Sequence, residues 1–132
     1  MASTIKLTVT TPEHQVLEET AESVVIPAHD GELGVLEARS PLMCDLGIGQ
    51  LRYTKEGHTL RVYVDGGFAQ INENVVTVLT PHALKPENIT PEVLAEAERK
   101  LAELTADPTA GADERYKQRQ RVGALREVRS QN

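Results

Sequence analysis

Val24-Val25-Ile26-Pro27-Ala28-His29-Asp30-Gly31-Glu32-Leu33-Gly34-Val35-Leu36 switches twice between strand and turn chemistry. The apolar run Val24 to Ile26 meets Pro27, which lacks the N–H that a sheet ladder uses, so the strand is expected to end there. Asp30-Gly31 supplies turn chemistry, because Gly tolerates positive φ and Asp bonds its own nearby backbone. Gly34 is a second permissive point before Val35-Leu36, and Ser40-Pro41-Leu42 turns the chain again. The expected product is a strand, a tight acidic loop and a return strand, with Glu32 and Leu33 at the tip. By itself this is a well-made turn in an all-β domain. An acidic residue beside an exposed leucine on a rigid loop also suits a docking surface.

The flanking sequence repeats the strand-and-turn rhythm. Ile5, Leu7 and Val9 alternate with polar residues, the period of a half-buried strand. Val16-Leu17 starts a second strand, and Glu18-Glu19 places carboxylates on the surface. Leu46-Gly47-Ile48-Gly49 reads as a strand with a bulge or a close backbone approach. Lys55-Glu56-Gly57-His58 is a hairpin turn, after which Leu60, Val62 and Val64 alternate until Asp65-Gly66-Gly67 kinks the strand. Val75-Val76-Thr77-Val78-Leu79 is apolar enough to predict a strand covered on both sides. Many short strands separated by turns predict an antiparallel β-sandwich or flattened barrel over residues 1–84.

The period changes after Pro81 and Pro86. Thr90-Pro91-Glu92 predicts a helix start, with Thr as N-cap, Pro in the first turn and Glu at the positive end of the dipole. Leu94, Ala97, Leu101 and Leu104 form one apolar stripe, and Asp107-Pro108-Thr109-Ala110-Gly111 breaks it. A second helix carries Val122, Leu125 and Val128 on one side. Residues 85–132 are therefore expected to form a helical hairpin, with helices at about 91–105 and 112–129. The fold class expected is α+β. Residues 85–114 hold 3 basic and 8 acidic groups, whereas 115–132 hold 6 and 1. An acidic helix beside a basic one gains ~0.2–1 kcal/mol per exposed contact. The arginines can also leave that partner for another acidic surface.

Composition narrows the function. The 39% hydrophobic fraction supports a core, but with aromatics at 3% and no Trp it must be aliphatic. A formal charge of −6 lacks the basic footprint that phosphate-backbone binding needs, so no nucleic acid is expected. Cys44 is the single cysteine, which precludes an intrachain disulfide. Met1-Ala2-Ser3-Thr4-Ile5-Lys6 shows no leader pattern, and no run of ~18 apolar residues spans a bilayer. Membrane association is expected only through partners. His14, His29, His58 and His82 are scattered without metal-ligand spacing, and Ser40 lacks a nucleophile-elbow context. No catalytic, cofactor or metal site is expected.

Pro27-x-x-Asp30-Gly31-Glu32-Leu33-Gly34-Val35-Leu36 followed by Pro41-Leu42, together with Val64-Asp65-Gly66-Gly67-Phe68-Ala69-Gln70-Ile71, resembles the epsilon subunit of the rotary proton-translocating ATP synthase. The resemblance spans nearly the whole chain. It implies a non-catalytic rotor subunit that couples rotation of the c-ring to ATP synthesis, at the cytoplasmic face of a bacterial cell membrane. The implied partners are the gamma subunit and the c-ring, met by Asp30, Gly31, Glu32, Leu33 and Leu42. It also implies a hairpin able to restrain ATP hydrolysis, with Arg115, Arg119, Arg121 and Arg126 facing an acidic segment of the beta subunit. Some bacterial members bind ATP through an Ile-Asp-x-x-Arg-Ala motif. Here the matching positions are Ile89-Thr90-Pro91-Glu92-Val93-Leu94, so the motif is unmatched and weak or no ATP binding is expected. Two further departures are Ser40 where many members have His, and Ile48-Gly49 for the usual Pro-Gly. The alternative from the residues alone is a free-standing β-sandwich binding module with a dimerising helical tail.

Overall fold

The computed structural model describes residues 4–130. The first three residues, read above for a leader, and the last two of the helical segment lie outside that range. Eight strands come first: β1 (Ile5–Thr10), β2 (Gln15–Ala21), β3 (Ser23–Ala28), β4 (Gly31–Val35), β5 (Leu42–Lys55), β6 (His58–Asn72), β7 (Val75–Leu79) and β8 (Ala83–Leu84). A single 3₁₀ turn, Pro86–Asn88, leads into α1 (Pro91–Ala106) and α2 (Ala112–Ser130). The sheet order is β2-β1-β7-β6-β5-β3-β4, with β8 on β6. The architecture is the expected β-sandwich followed by a helical hairpin.

Two long strands join the layers. β5 and β6 run antiparallel from Leu42↔Ile71 to Lys55↔His58, closed by Glu56-Gly57 with φ of 52° and 79°. Two successive positive φ values match the twist of a two-residue hairpin. The β6–β7 turn repeats this with Glu73 and Asn74 at 49° and 64°. Along β6, Tyr63 and Val64 pair with β8, while Phe68 to Asn72 pair with β7. The change of partner falls at Gly66-Gly67, where φ is 76° and 100°. A Cβ on Gly67 would lie 2.0 Å from Leu79 O and 2.8 Å from Thr80 Cα, so the crossing needs glycine there.

The core is aliphatic: Ile5, Leu7, Val24, Ile26, Leu51, Ile71 and their neighbours are fully enclosed. Each such side chain stabilises the fold by ~1.5–3 kcal/mol relative to exposure. A second cluster lies on an outer face, where Tyr63 and Ile89 meet Ala124, Leu125 and Val128 of α2. Helix α1 starts as expected, the Thr90 hydroxyl accepting from Val93 N at 3.2 Å behind Pro91.

Three expectations need correction. The sandwich is not purely antiparallel, because β1 pairs parallel with β7. The N-terminal strand slots beside a strand reached by a long path, so no hairpin dictates its direction. β3 does not end at Pro27: it runs to Ala28, and Pro27 pairs with Glu32 of β4. The ladder to β5 shifts register between Val25 and Ala28, so the missing N–H falls where no regular bond is due. β7 is covered on one side only, with Val75 and Leu79 exposed while Val76 and Val78 are buried.

Gly67→Ala is expected to destabilise the fold by roughly 3 kcal/mol or more, adding backbone strain to a clash with a carbonyl. At Gly66 the nearest atom is 3.8 Å away, so Gly66→Ala is expected to cost only the left-handed penalty, about 1–2 kcal/mol. Urea unfolding of the two variants measures the difference.

Candidate interaction surfaces

The β3–β4 connection turns at His29-Asp30, and His29 N donates to Asp45 O at 2.9 Å. Asp30 and Gly31 are exposed at this turn, with Gly31 at φ 136°. Glu32 and Leu33 are not at the tip, in contrast to the sequence expectation. They lie inside β4, opposite Pro27 and Ile26. Cross-strand partners share a face, so Leu33 follows Ile26 inward and packs half-buried against the core. Glu32 faces out and accepts two bonds from Arg52, at 2.6 Å from Nη1 and 3.2 Å from Nη2. These bonds hold its carboxyl below the usual range. Leu42 is elsewhere: the turn abuts Leu46 of β5, while Leu42 pairs with Ile71 at the rim of the core. The structure thus brings Asp30, Gly31 and Glu32 together and leaves Leu42 apart.

Sequence reasoning missed an apolar surface on the sandwich. Phe68 and Leu79 are cross-strand partners, and Asp45 lies opposite Phe68 on the other side. Phe68 is 56% exposed, Leu79 53% and nearby Met43 66%. Alternation explains it, since Ala69, Ile71, Val76 and Val78 take the inward positions of the same strands. The sign readable in the sequence was the almost wholly apolar run of β7, which over-supplies one buried face.

The opposite outer face is covered. Tyr63 of β6, with Ile48 and Leu84 beside it, forms a seat for Leu125 and Val128 of α2 and for Val93, Leu94 and Ala97 of α1. Arg121 Nε donates to Asp65 Oδ2 at 3.0 Å, and Tyr63 Oη donates to the same oxygen at 3.2 Å. Burial, reinforced by the Asp65 carboxylate, pushes the Tyr63 phenol far above its ordinary value, so it remains an O–H donor. Gln118, almost wholly buried, donates to Ala97 O of α1 at 3.0 Å and accepts from Arg121 Nη1 at 3.1 Å.

The basic residues of α2 therefore divide. Arg121 is tied to the sandwich, Arg126 is bonded to Glu98 of α1, and Arg115 donates to Ala110 O of the interhelical loop at 2.8 Å. Arg119 and Arg129 are exposed. A groove of about 660 Å³ at the open end of the hairpin is lined by Ile89, Thr90, Leu94, Arg126 and Arg129. A second groove of about 830 Å³ separates the β3–β4 turn from Tyr116, Lys117 and Arg121. Among the described residues no three His, Cys, Asp or Glu side chains gather as a metal site. No described helix is long and apolar enough to cross a membrane.

These features have counterparts in known proteins. The family described as ATP synthase, Delta/Epsilon chain, beta-sandwich domain, matches residues 4–86. The ATP synthase epsilon chain of Symbiobacterium thermophilum is 39% identical over 110 residues, covering 83% of this chain and 79% of its own length. That of Carboxydothermus hydrogenoformans is 42% identical over 109 residues, covering 80% and 81%. A chain from the Euglena gracilis mitochondrial ATP synthase, in a structure of OSCP, F1 and c-ring, aligns with a TM-score of 0.74 and 26% identity over 98% of this chain and 82% of that one. A chain from the central stalk and c-ring of the Tetrahymena thermophila enzyme shares the fold, with a TM-score of 0.67 at 11% identity and 96% coverage of both. On the strength of the family match and these relatives, this chain belongs to the ATP synthase epsilon chain family, as a non-catalytic component of that complex.

Proposed function

We propose that this chain is a rotor subunit that couples c-ring rotation to the catalytic head, docking through the sandwich and regulating through the hairpin. The division of labour falls at residues 84 and 85. The observation that carries the reading is the asymmetry of the sandwich. One outer face is occupied by the chain's own helices, and the other presents Met43, Phe68 and Leu79 to solvent. Exposed apolar side chains gathered on one rigid face suit a protein partner. We assign that face to the gamma subunit and the turn at Asp30, Gly31 and Glu32 to the c-ring. Glu32 is presented there as a carboxylate already held by Arg52, a fixed charge on a strand instead of a swinging side chain.

The alternative, a free-standing module with a dimerising tail, loses its main support. Val122, Ala124, Leu125 and Val128 are buried within the chain, so α2 keeps no apolar stripe for a second copy. The hairpin is nonetheless lightly held, because α1 contributes no fully buried residue. Such an element sits at the low end of local stability and suits a part that moves. In the rotor reading the detached hairpin enters the catalytic head, where Arg115, Arg119, Arg121 and Arg126 meet an acidic segment of the beta subunit and restrain ATP hydrolysis. Guanidinium groups suit that contact because they stay charged and fork onto carboxylates. Membrane association is peripheral and comes from the partners, on the cytoplasmic face of a bacterial cell membrane.

Three measurements follow. Added to an epsilon-depleted catalytic head, the full chain is expected to slow ATP hydrolysis, and a chain ending at Lys85 to bind without slowing it. Equal activity with both would remove the regulatory role, and no binding by either would remove the rotor role. Phe68→Ser and Leu79→Ser together are expected to weaken gamma binding at least tenfold, about 1.4 kcal/mol, with the fold intact by circular dichroism. Unchanged affinity would move the gamma site off this face. Titration calorimetry of ATP into the isolated chain is expected to show no micromolar affinity, since Thr90, Val93 and Leu94 stand where the nucleotide motif has Asp, Arg and Ala.

A further inference from the structure

The hairpin's attachment combines a small apolar seat with one polar relay. Apolar contact alone fixes position loosely, because Val, Leu and Ala side chains tolerate sliding along a helix. A forked, charge-assisted contact does not. The relay runs from Tyr63 Oη to Asp65 Oδ2, from Arg121 Nε to the same oxygen, from Arg121 Nη1 to Gln118 Oε1, and from Gln118 Nε2 to Ala97 O. It crosses from the sandwich through α2 to α1. We propose that Asp65 and Arg121 form the latch that seats the hairpin on the sandwich, with Gln118 making the two helices hold or release as one unit.

Three features of the molecule lead to this. In the seated form Gln118 is 3% exposed and the Asp65 side chain 13%, so neither reaches water freely if its partner side chain is removed while the hairpin stays in place. An unpaired buried polar group costs more than its bond contributes, so losing one link undermines the next. Apolar burial on α2 is confined to Val122, Ala124, Leu125 and Val128, downstream of Gln118, which leaves the first turns of the helix without a core contact. Asp65 is itself anchored, its N–H donating to His82 O at 3.1 Å and to Thr80 Oγ1 at 3.2 Å, just before the Gly66-Gly67 crossing. The anchor is rigid and the hairpin side is the one that gives way.

One consequence rests on the rotor reading: in the seated form Arg121 is already occupied, so a carboxylate elsewhere gains it only by displacing Asp65. The latch itself is tested on the isolated full chain, so either idea can fail without the other.

The test is hydrogen exchange of the full chain by mass spectrometry, comparing the native sequence with Arg121→Gln, Asp65→Asn and Arg121→Lys. Arg121→Gln and Asp65→Asn are expected to speed exchange in α1 and α2 together by roughly tenfold to a hundredfold, with β1 and β7 still protected. Arg121→Lys is expected to recover part of the protection, because it restores the charge without the fork. Unchanged exchange in both helices would overturn the latch. So would parallel loss in β1 and β7, which would make the pair a support of the whole fold. Loosening of α2 with α1 still protected would overturn the role given to Gln118.

Discussion

Strand β6 must leave one layer of the sandwich and enter the other without breaking its ladder to β5, and the chain solves this at Gly66-Gly67. The pairing Leu46↔Gly67 and Ile48↔Asp65 keeps one register through the crossing, while the other edge of β6 changes partner from β8 to β7. Only a residue without a Cβ can pass Leu79 O at this distance. Glycine also recurs on the facing strand, where Gly49 lets Pro27 Cβ come within 3.1 Å of a Cβ built there. Close approach on both sides of the β5–β6 pair gives the sandwich its corner.

That corner sorts the outward-facing side chains of β6. Before it, Tyr63 and Asp65 face the hairpin; after it, Phe68 faces the uncovered side. A single strand therefore supplies both the seat of the chain's own helices and part of the face offered to a partner. On the seat, low polarity acts in two directions. It raises the Tyr63 phenol and so preserves its proton for Asp65, and it makes the Asp65–Arg121 contact stronger than an exposed pair would be. On the uncovered face the chain leaves apolar area in water, which is unfavourable for an isolated domain and useful in an assembly.

The strand-and-turn rhythm and the helical hairpin were both legible, because each is written in local chemistry. Thr90 before Pro91 marks a helix start, and Glu56-Gly57 marks a hairpin, wherever they occur. The interaction surfaces were less legible. Asp30 and Gly31 do form the exposed turn, yet Glu32 and Leu33 were displaced into β4 because Pro27 is tolerated at the register shift. The arginines of α2 looked like one basic set by composition. Packing gives Arg121 to Asp65, Arg126 to Glu98 and Arg115 to a loop carbonyl.

The sequence by itself determined what depends on neighbours a few residues away: strand periods, turn residues, the helix cap, and the break between the helices. It also carried two motif blocks specific enough to point to the family. Tertiary structure alone decided which face each strand turns outward, and hence that Phe68 and Leu79 are exposed while Leu33 is half-buried. It alone paired Asp65 with Arg121, which lie 56 residues apart. Alternation along a strand says that successive side chains face opposite ways, but not which way is covered. That depends on what the rest of the chain lays over each face, and here the hairpin covers only one of the two.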